Sequence, residues 1–101
     1  MQWFIKEPDE TLIRTMDYTG RLATGVTLVS SVVEAYNKAT GANVSGTLLT
    51  STTGVVNTTN DTVTFITIGG VHNTDYLIEL TTLVSSGDVY VDCITLIVRN
   101  C

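Results

Sequence analysis

The sequence predicts a single all-β domain, and three observations lead to this prediction. Roughly two-fifths of the 101 residues are Thr, Val or Ile, the β-branched types that suit a pleated sheet and are disfavoured in helices. The one proline is Pro8, so every later segment keeps the N–H groups that a strand inside a sheet donates. Short apolar runs are separated by turn residues about every 8 to 14 positions, which is typical of a β-sandwich or a small barrel.

Seven strands are predicted, in runs bounded by Gly, Ser, Asn and Asp. They cover residues 11–22, 26–36, 43–50, 55–56, 62–68, a run from residue 76 to the hairpin turn at 85–88, and a last run through residue 98. The run 62–68 changes phase because Val63 and Phe65 share one face while Ile66 lies on the other, as a bulge or burial on both faces would produce. Tyr76 has two readings, a tyrosine-corner residue that ties the preceding loop or an ordinary core residue.

Residues 1–10 are predicted to form an extended arm, separate from a sandwich over residues 11–101. An apolar patch is followed by a charged stretch that Pro8 holds extended. The arm either buries its apolar side chains in a neighbouring subunit or folds back onto its own sandwich. An exposed sheet edge could also accept a partner strand. The candidate partner-binding residues are Trp3, Phe4, Ile5, Lys6, Pro8, Asp9 and Glu10.

The charge balance argues against two classes of partner. Five Lys and Arg against ten Asp and Glu give a net charge of −5, the wrong sign for a nucleic-acid backbone. No basic cluster flanks an apolar helix, and no apolar run is long enough to span a bilayer, so no membrane partner is expected. The N-terminus lacks the basic and apolar regions of a secretory signal, and synthesis in the cytoplasm is expected.

Catalytic and metal-binding patterns are also missing from the sequence. The only histidine, His72, lies beside Asn73, Thr74 and Asp75 in a polar run that is interpreted as a surface loop rather than as part of a catalytic site. Asn57, Asn60 and Asp61 are interpreted as turn residues rather than as ligands of a hard cation. Cys93 and Cys101 would lie about 26 Å apart on one strand, too far for a disulfide unless the tail folds back. No enzymatic activity and no cofactor are predicted.

Both ends of the chain resemble fibre-tail adaptor proteins of tailed bacteriophages. The opening motifs are Lys6-x-Pro8-Asp9-Glu10-x-Leu12 and Asp17-Tyr18-Thr19-x-Arg21-Leu22. The closing motifs are Gly70 with Tyr76-x-Ile78-x-Leu80-x-Thr82, and Gly87 with Ile94-Thr95-Leu96-x-Val98. The region 35–56 matches poorly, and the family often has Trp where this chain has Tyr18.

The resemblance implies an immunoglobulin-like antiparallel β-sandwich that serves as a structural virion protein. Such a protein is made in the host cytoplasm, is homo-oligomeric or present in several copies, and joins fibres to the tail or neck by contacts with other phage structural proteins. It has no enzymatic activity. Two alternatives stay open: a head-decoration protein, and a carbohydrate- or host-surface-binding module, which would be expected to expose aromatic rings.

Overall fold

A computed structural model describes residues 2–99 of the chain. Over that range the protein is mostly β-strand, as predicted. Its elements are β1 (Gln2–Lys6), β2 (Leu12–Asp17), β3 (Leu28–Asn37), α1 (Ser45–Leu48), β4 (Val55–Asn57), β5 (Thr62–Thr67), β6 (Thr74–Val84) and β7 (Val89–Val98). No helix in this range is long and apolar enough to cross a membrane.

The strands form two sheets. The four-stranded sheet has the order β1-β7-β6-β3, and the three-stranded sheet has the order β2-β5-β4. Strands β1 and β7 run parallel, whereas every other paired strand is antiparallel. The strand pairs within the predicted sandwich are antiparallel, as expected, and the parallel pair is the one formed by residues 2–6 of the predicted arm.

Alternating side chains from both sheets fill the core. In β6, Tyr76, Ile78 and Leu80 are buried while the residues between them are partly exposed. Strand β5 contributes Val63 and Phe65 from the opposite sheet in the same alternating way. Since successive side chains of a strand point to opposite faces, each sheet turns one face inward. The phase change predicted at Ile66 places that residue half-buried on the outer face, with no bulge against β2.

The predicted strand over residues 43–50 is wrong, because this segment contains the single-turn helix α1. The side-chain oxygen of Asn43 accepts hydrogen bonds from the Ser45 N–H at 3.0 Å and from the Ser45 hydroxyl at 2.7 Å. Leu48 and Leu49 are both buried although they are adjacent. A strand would turn one of them to solvent, whereas a helical turn followed by extended chain buries both.

Of the two alternatives left open for the apolar residues of the arm, the structure shows contact with the chain's own sandwich. Residues 2–6 pair with β7 from Gln2 opposite Ile94 to Lys6 opposite Val98. They therefore belong to the four-stranded sheet rather than standing apart from it. Strand β1 was not among the predicted strands, whereas the strand predicted at residues 43–50 is absent.

Candidate interaction surface

Strand β1 presents two of its predicted contact residues to solvent. The side chains of Trp3 and Ile5 point outward and are 63% and 53% exposed. Phe4 points inward and packs against the core from its edge. Pairing with β7 therefore makes the apolar part of the predicted arm a strand with one buried and one exposed apolar face.

Lys6 anchors β1 from within. It is fully buried, and its Nζ donates to the carbonyl oxygens of Glu7 at 2.7 Å, Pro8 at 3.2 Å and Gly69. Burial lowers the pKa of the ammonium, and the nearby carboxylates of Glu10 and Asp9 oppose that effect. Because its ammonium donates to backbone carbonyls of its own chain, Lys6 stabilises β1 and is not available to a partner.

Residues after β1 form a compact turn rather than an extended linker. The Glu7 N–H donates to the Glu10 carboxylate at 2.8 Å, and the Glu10 N–H donates to the Glu7 carbonyl at 3.1 Å. Pro8 is half-buried, whereas Asp9 and Glu10 are exposed. Of the predicted contact residues, the structure leaves four at the surface, in two places: Trp3 and Ile5 on the sheet, and Asp9 and Glu10 in the turn.

The outer face of the four-stranded sheet collects most of the exposed apolar side chains of residues 2–99. One row of side chains crosses this face from β1 to β3. It consists of Trp3, Thr95, Leu77 and Tyr36, each paired with the next. The exposed large apolar residues on this face are Trp3, Ile5, Val32, Leu83, Val89 and Val91. They lie in two groups, Trp3 and Ile5 beside residues 95–97 and the other four near residues 89–91. Since exposed apolar patches often mark interaction sites, this face is the leading candidate for a contact surface.

Two acidic residues interrupt this outer face. Glu34 on β3 and Glu79 on β6 stand directly opposite each other, and both are half-buried. The Glu34 carboxylate accepts hydrogen bonds from the Tyr36 hydroxyl and the Asn43 amide, both at 2.9 Å. The hydrogen bond to Glu34 raises the pKa of Tyr36. Like charges opposite each other are unfavourable in a sheet, and a partner that places a cation over this pair would relieve the repulsion.

The two lateral sides of the molecule differ. On one side residues 42–54 cover β3, with hydrogen bonds from the Val33 N–H to the Thr52 carbonyl at 2.7 Å and from the Val44 N–H to the Ala35 carbonyl at 2.8 Å. On the other side β1 and β2 are edge strands. The sequence predicted an exposed edge, and the structure provides two on the same side of the molecule.

Each of these edge strands carries one inward-pointing cation, Lys6 on β1 and Arg14 on β2. The alternation of β2 gives a signal for Arg14, because Leu12, Arg14 and Met16 share one face. That signal is present in the sequence, but Arg14 was not among the predicted site residues. Inward-pointing charges are one of the ways in which native proteins discourage unwanted strand pairing at an edge.

The histidine and the candidate metal ligands lie in separate turns and loops at the surface. His72 is exposed in the loop before β6. The side-chain oxygen of Asn57 accepts hydrogen bonds from the N–H groups of Thr59 and Asn60, both at 3.0 Å, which is a turn-forming role. Within residues 2–99, no group of three His, Cys, Asp or Glu side chains is placed to hold a metal ion. Cys93 is a half-buried free thiol, and Cys101 lies outside the described residues.

Tyr76 ties the preceding loop, which is one of the two roles predicted for it. The Val71 N–H donates to the Tyr76 hydroxyl oxygen at 3.0 Å, while the ring is buried in the core. Gly69 and Gly70, which begin this loop, both have positive φ values of +60° and +102°. The loop is therefore held by a side chain at the start of β6 and by the ammonium of Lys6.

Comparison with known proteins adds no functional assignment. No protein-family model matches the chain, and no curated protein matches it. The geometry and the sequence motifs are therefore the grounds for a functional proposal.

Proposed function

We propose that this chain is an immunoglobulin-like structural protein of a tailed-phage virion, an adaptor that joins fibres to the tail or neck. The proposal combines the sequence resemblance with two features of the molecule, its strand order and its exposed sheet face. It assigns the chain no enzymatic activity. Its partners are other structural proteins of the particle.

The strand order supports the immunoglobulin-like part of the proposal. Immunoglobulin sandwiches place their third, sixth and seventh strands in one sheet and their second, fourth and fifth strands in the other. Here β3, β6 and β7 share one sheet, and β2, β4 and β5 share the other. The hydrogen bond between Tyr76, at the start of β6, and the Val71 N–H resembles the tyrosine corner of that fold.

The motifs behind the resemblance have structural roles. Lys6 and Glu10 shape the turn after β1. Asp17 accepts hydrogen bonds from the Thr19 N–H at 2.8 Å and the Thr19 hydroxyl at 2.6 Å, which closes the turn after β2. These contacts explain why the residue types and spacings matter to the fold.

The exposed outer face of the four-stranded sheet is the observation that carries the proposal. Four strands about 4.8 Å apart and up to about 33 Å long give the face an area of roughly 600 Å². A standard protein interface buries about 800 Å² on each partner. The face is thus large enough to supply most of one interface, and Trp3 is the kind of side chain that contributes strongly to binding.

The test is incorporation into virions. Particles are assembled with the unaltered chain, with a Trp3→Ser/Ile5→Ser variant, or with an Ile13→Ser/Val55→Ser control that removes exposed apolar side chains from the other sheet. The unaltered chain and the control should appear in a ring-like stoichiometry at the tail or neck, and the first variant should lose the chain and the fibres. Thermal unfolding confirms that each variant folds.

Two outcomes would overturn the adaptor role. Copies spread over the capsid surface would mean decoration of the head. A full set of fibres on particles made with Trp3→Ser/Ile5→Ser would mean that β1 and its sheet face are not the contact.

A further inference from the structure

A cleft opens between the edge strands β1 and β2. It has a volume of about 220 Å³ and separates the two sheets at their open lateral side. The lining residues are Trp3, Phe4, Arg14, Thr15, Phe65 and Ile94. This volume is several times the roughly 30 Å³ share of one water in the liquid, so the cleft has room for one small side chain.

Arg14 is the only cation that lines this cleft, and within residues 2–99 no carboxylate forms an ion pair with it. Its guanidinium carbon lies 4.9 Å from the centroid of the Phe4 ring. Its Nε is buried without a hydrogen-bond partner, the only such side-chain nitrogen or oxygen in the part of the chain that the structure describes. Buried polar groups are nearly always hydrogen-bonded, so each exception asks for an explanation.

The other two arginines make the contrast clear. Arg21 forms an ion pair with Asp92 at 2.8 Å, and Arg99 lies 3.6 Å from the Asp75 carboxylate. Both of these side chains are on the surface, where an ion pair is worth little. Arg14, in contrast, is surrounded mainly by apolar side chains. A charge-assisted hydrogen bond is stronger in such an environment, yet Arg14 is the arginine without an ion pair to a carboxylate of residues 2–99.

The geometry of a guanidinium indicates which ligand would satisfy it. The Nε–H and one Nη–H of an arginine form a planar fork that matches the two oxygens of a carboxylate. A carboxylate in the cleft would therefore satisfy the buried Nε and neutralise the charge at once. The acidic side chains of residues 2–99 supply no such contact to Arg14.

The open edge of β2 indicates how such a carboxylate would arrive. The Tyr18 N–H donates across to the Asp61 carbonyl at 2.8 Å, so even-numbered residues of β2 direct their backbone groups toward β5. Ile13 and Thr15 therefore direct theirs toward the open edge. A strand added there would place alternate side chains between the two sheets, beside the inward-pointing Arg14.

We propose that the cleft binds an aspartate or glutamate side chain carried by an extended segment of a partner protein, which adds to the open edge of β2. The segment makes backbone hydrogen bonds to Ile13 and Thr15, and its carboxylate pairs with Arg14. Apolar residues on either side of the acid cover Phe4 and Phe65. This site shares only Trp3 with the outer sheet face, does not depend on the virion role, and applies to any partner that carries such a segment.

The probe is a pair of blocked peptides, acetyl-Thr-Val-Thr-Glu-Thr-Val-Thr-amide and its Glu→Gln twin. Their alternation places Val, Glu and Val on one face of the added strand. Binding is followed by the fluorescence of Trp3, the only tryptophan of the chain, and by the NMR signals of the Arg14 Nε–H and of the Ile13 and Thr15 amides. The Glu peptide should shift all of these signals and bind at least about tenfold more tightly than the Gln peptide.

Variants distinguish carboxylate recognition by Arg14 from non-specific peptide binding. Arg14→Gln should abolish the preference for the Glu peptide, whereas Arg99→Gln, on the surface and in another ion pair, should keep it. The peptide comparison on the unaltered protein stands even if Arg14→Gln folds poorly. Equal binding of the two peptides, no binding of either, or a preference that survives Arg14→Gln would overturn the proposal. Self-association of Arg14→Gln, with no binding of the Glu peptide to the unaltered protein, would identify Arg14 as a guard of the β2 edge instead.

Discussion

Tyr18 and Thr82 join the two sheets through a buried hydrogen bond between their hydroxyl groups at 3.0 Å. Tyr18 follows β2 of one sheet, and Thr82 lies in β6 of the other. The Thr82 hydroxyl is also 3.0 Å from that of Ser31, and the Tyr18 hydroxyl donates to the Asp92 carboxylate at 3.2 Å. These hydroxyl groups satisfy one another's hydrogen-bonding capacity, and the network fixes how the two sheets face each other.

The first prediction is that Tyr18→Phe destabilises the fold by about 1 to 1.5 kcal/mol, because a buried hydrogen-bonded hydroxyl is removed while the ring remains. Thr82 keeps Ser31 as a partner, so the loss should not be larger. Urea unfolding measures it. Tyr36→Phe is the control, since its hydroxyl bonds to Glu34 on the outer face, and it should cost less. Equal losses for the two variants would contradict the role of the buried network.

The second prediction concerns alkaline pH. Burial is the main cause that raises the pKa of Tyr18 above its ordinary value of 10.0. The folded protein therefore retains the phenol proton at a pH where the unfolded chain has released it. The resulting stabilisation is fully present below pH 10 and is lost as the pH rises through the raised folded pKa. Unfolding free energies measured from pH 9 upward should fall less steeply in Tyr18→Phe than in the unaltered protein, and parallel curves would refute this.

The third prediction is that Lys6→Met loosens β1. The substitution leaves the carbonyls of Glu7, Pro8 and Gly69 without their shared donor, at a cost of about 1 to 3 kcal/mol for buried groups that stay unsatisfied. Hydrogen exchange should accelerate at the amides of β1 and at the Arg99 N–H, which donates to the Lys6 carbonyl at 2.9 Å. Lys38→Met, at an exposed position, should leave the exchange of β1 unchanged. Protection of β1 that matches the unaltered protein would show that Lys6 is not its anchor.

The sequence predicts well those parts of the fold that depend on the alternation of neighbouring residues and on local turn residues. Tyr76, Ile78 and Leu80 alternate with less buried residues, and the strand they predict is β6. The hairpin turn is also confirmed, since the Val84 N–H donates to the Asp88 carbonyl at 3.1 Å. Both features depend on neighbours in sequence, and a short pattern suffices to show them.

The parts that escaped prediction depend on contacts far apart in the chain. Strand β1 exists because residues 2–6 pair with residues 94–98, and nothing in a five-residue apolar segment shows whether it pairs with its own sheet or with a neighbour. The helix α1 follows a turn in which the Asn43 side chain accepts a hydrogen bond from the Ser45 N–H, and the β-branched composition gave no sign of it. The alternation of β2 predicts that Arg14 points inward. That its Nε lacks a hydrogen-bond partner and that its guanidinium lies over Phe4 depend on contacts between distant residues, which only the structure shows.

The last prediction is that Gly69→Ala destabilises the fold more than Gly25→Ala. Both glycines have positive φ values, +60° and +82°, at which an L-residue costs about 1 to 2 kcal/mol. A Cβ on Gly69 would also lie 2.8 Å from the Thr47 carbonyl oxygen, whereas nothing lies within 4 Å of a Cβ on Gly25. The shift that relieves this clash would move the carbonyl that accepts from Lys6, so Gly69→Ala should also accelerate hydrogen exchange in β1. Urea unfolding and hydrogen exchange of the two variants compare them directly, and similar losses would mean that backbone strain alone, rather than the close approach to Thr47, explains the glycine.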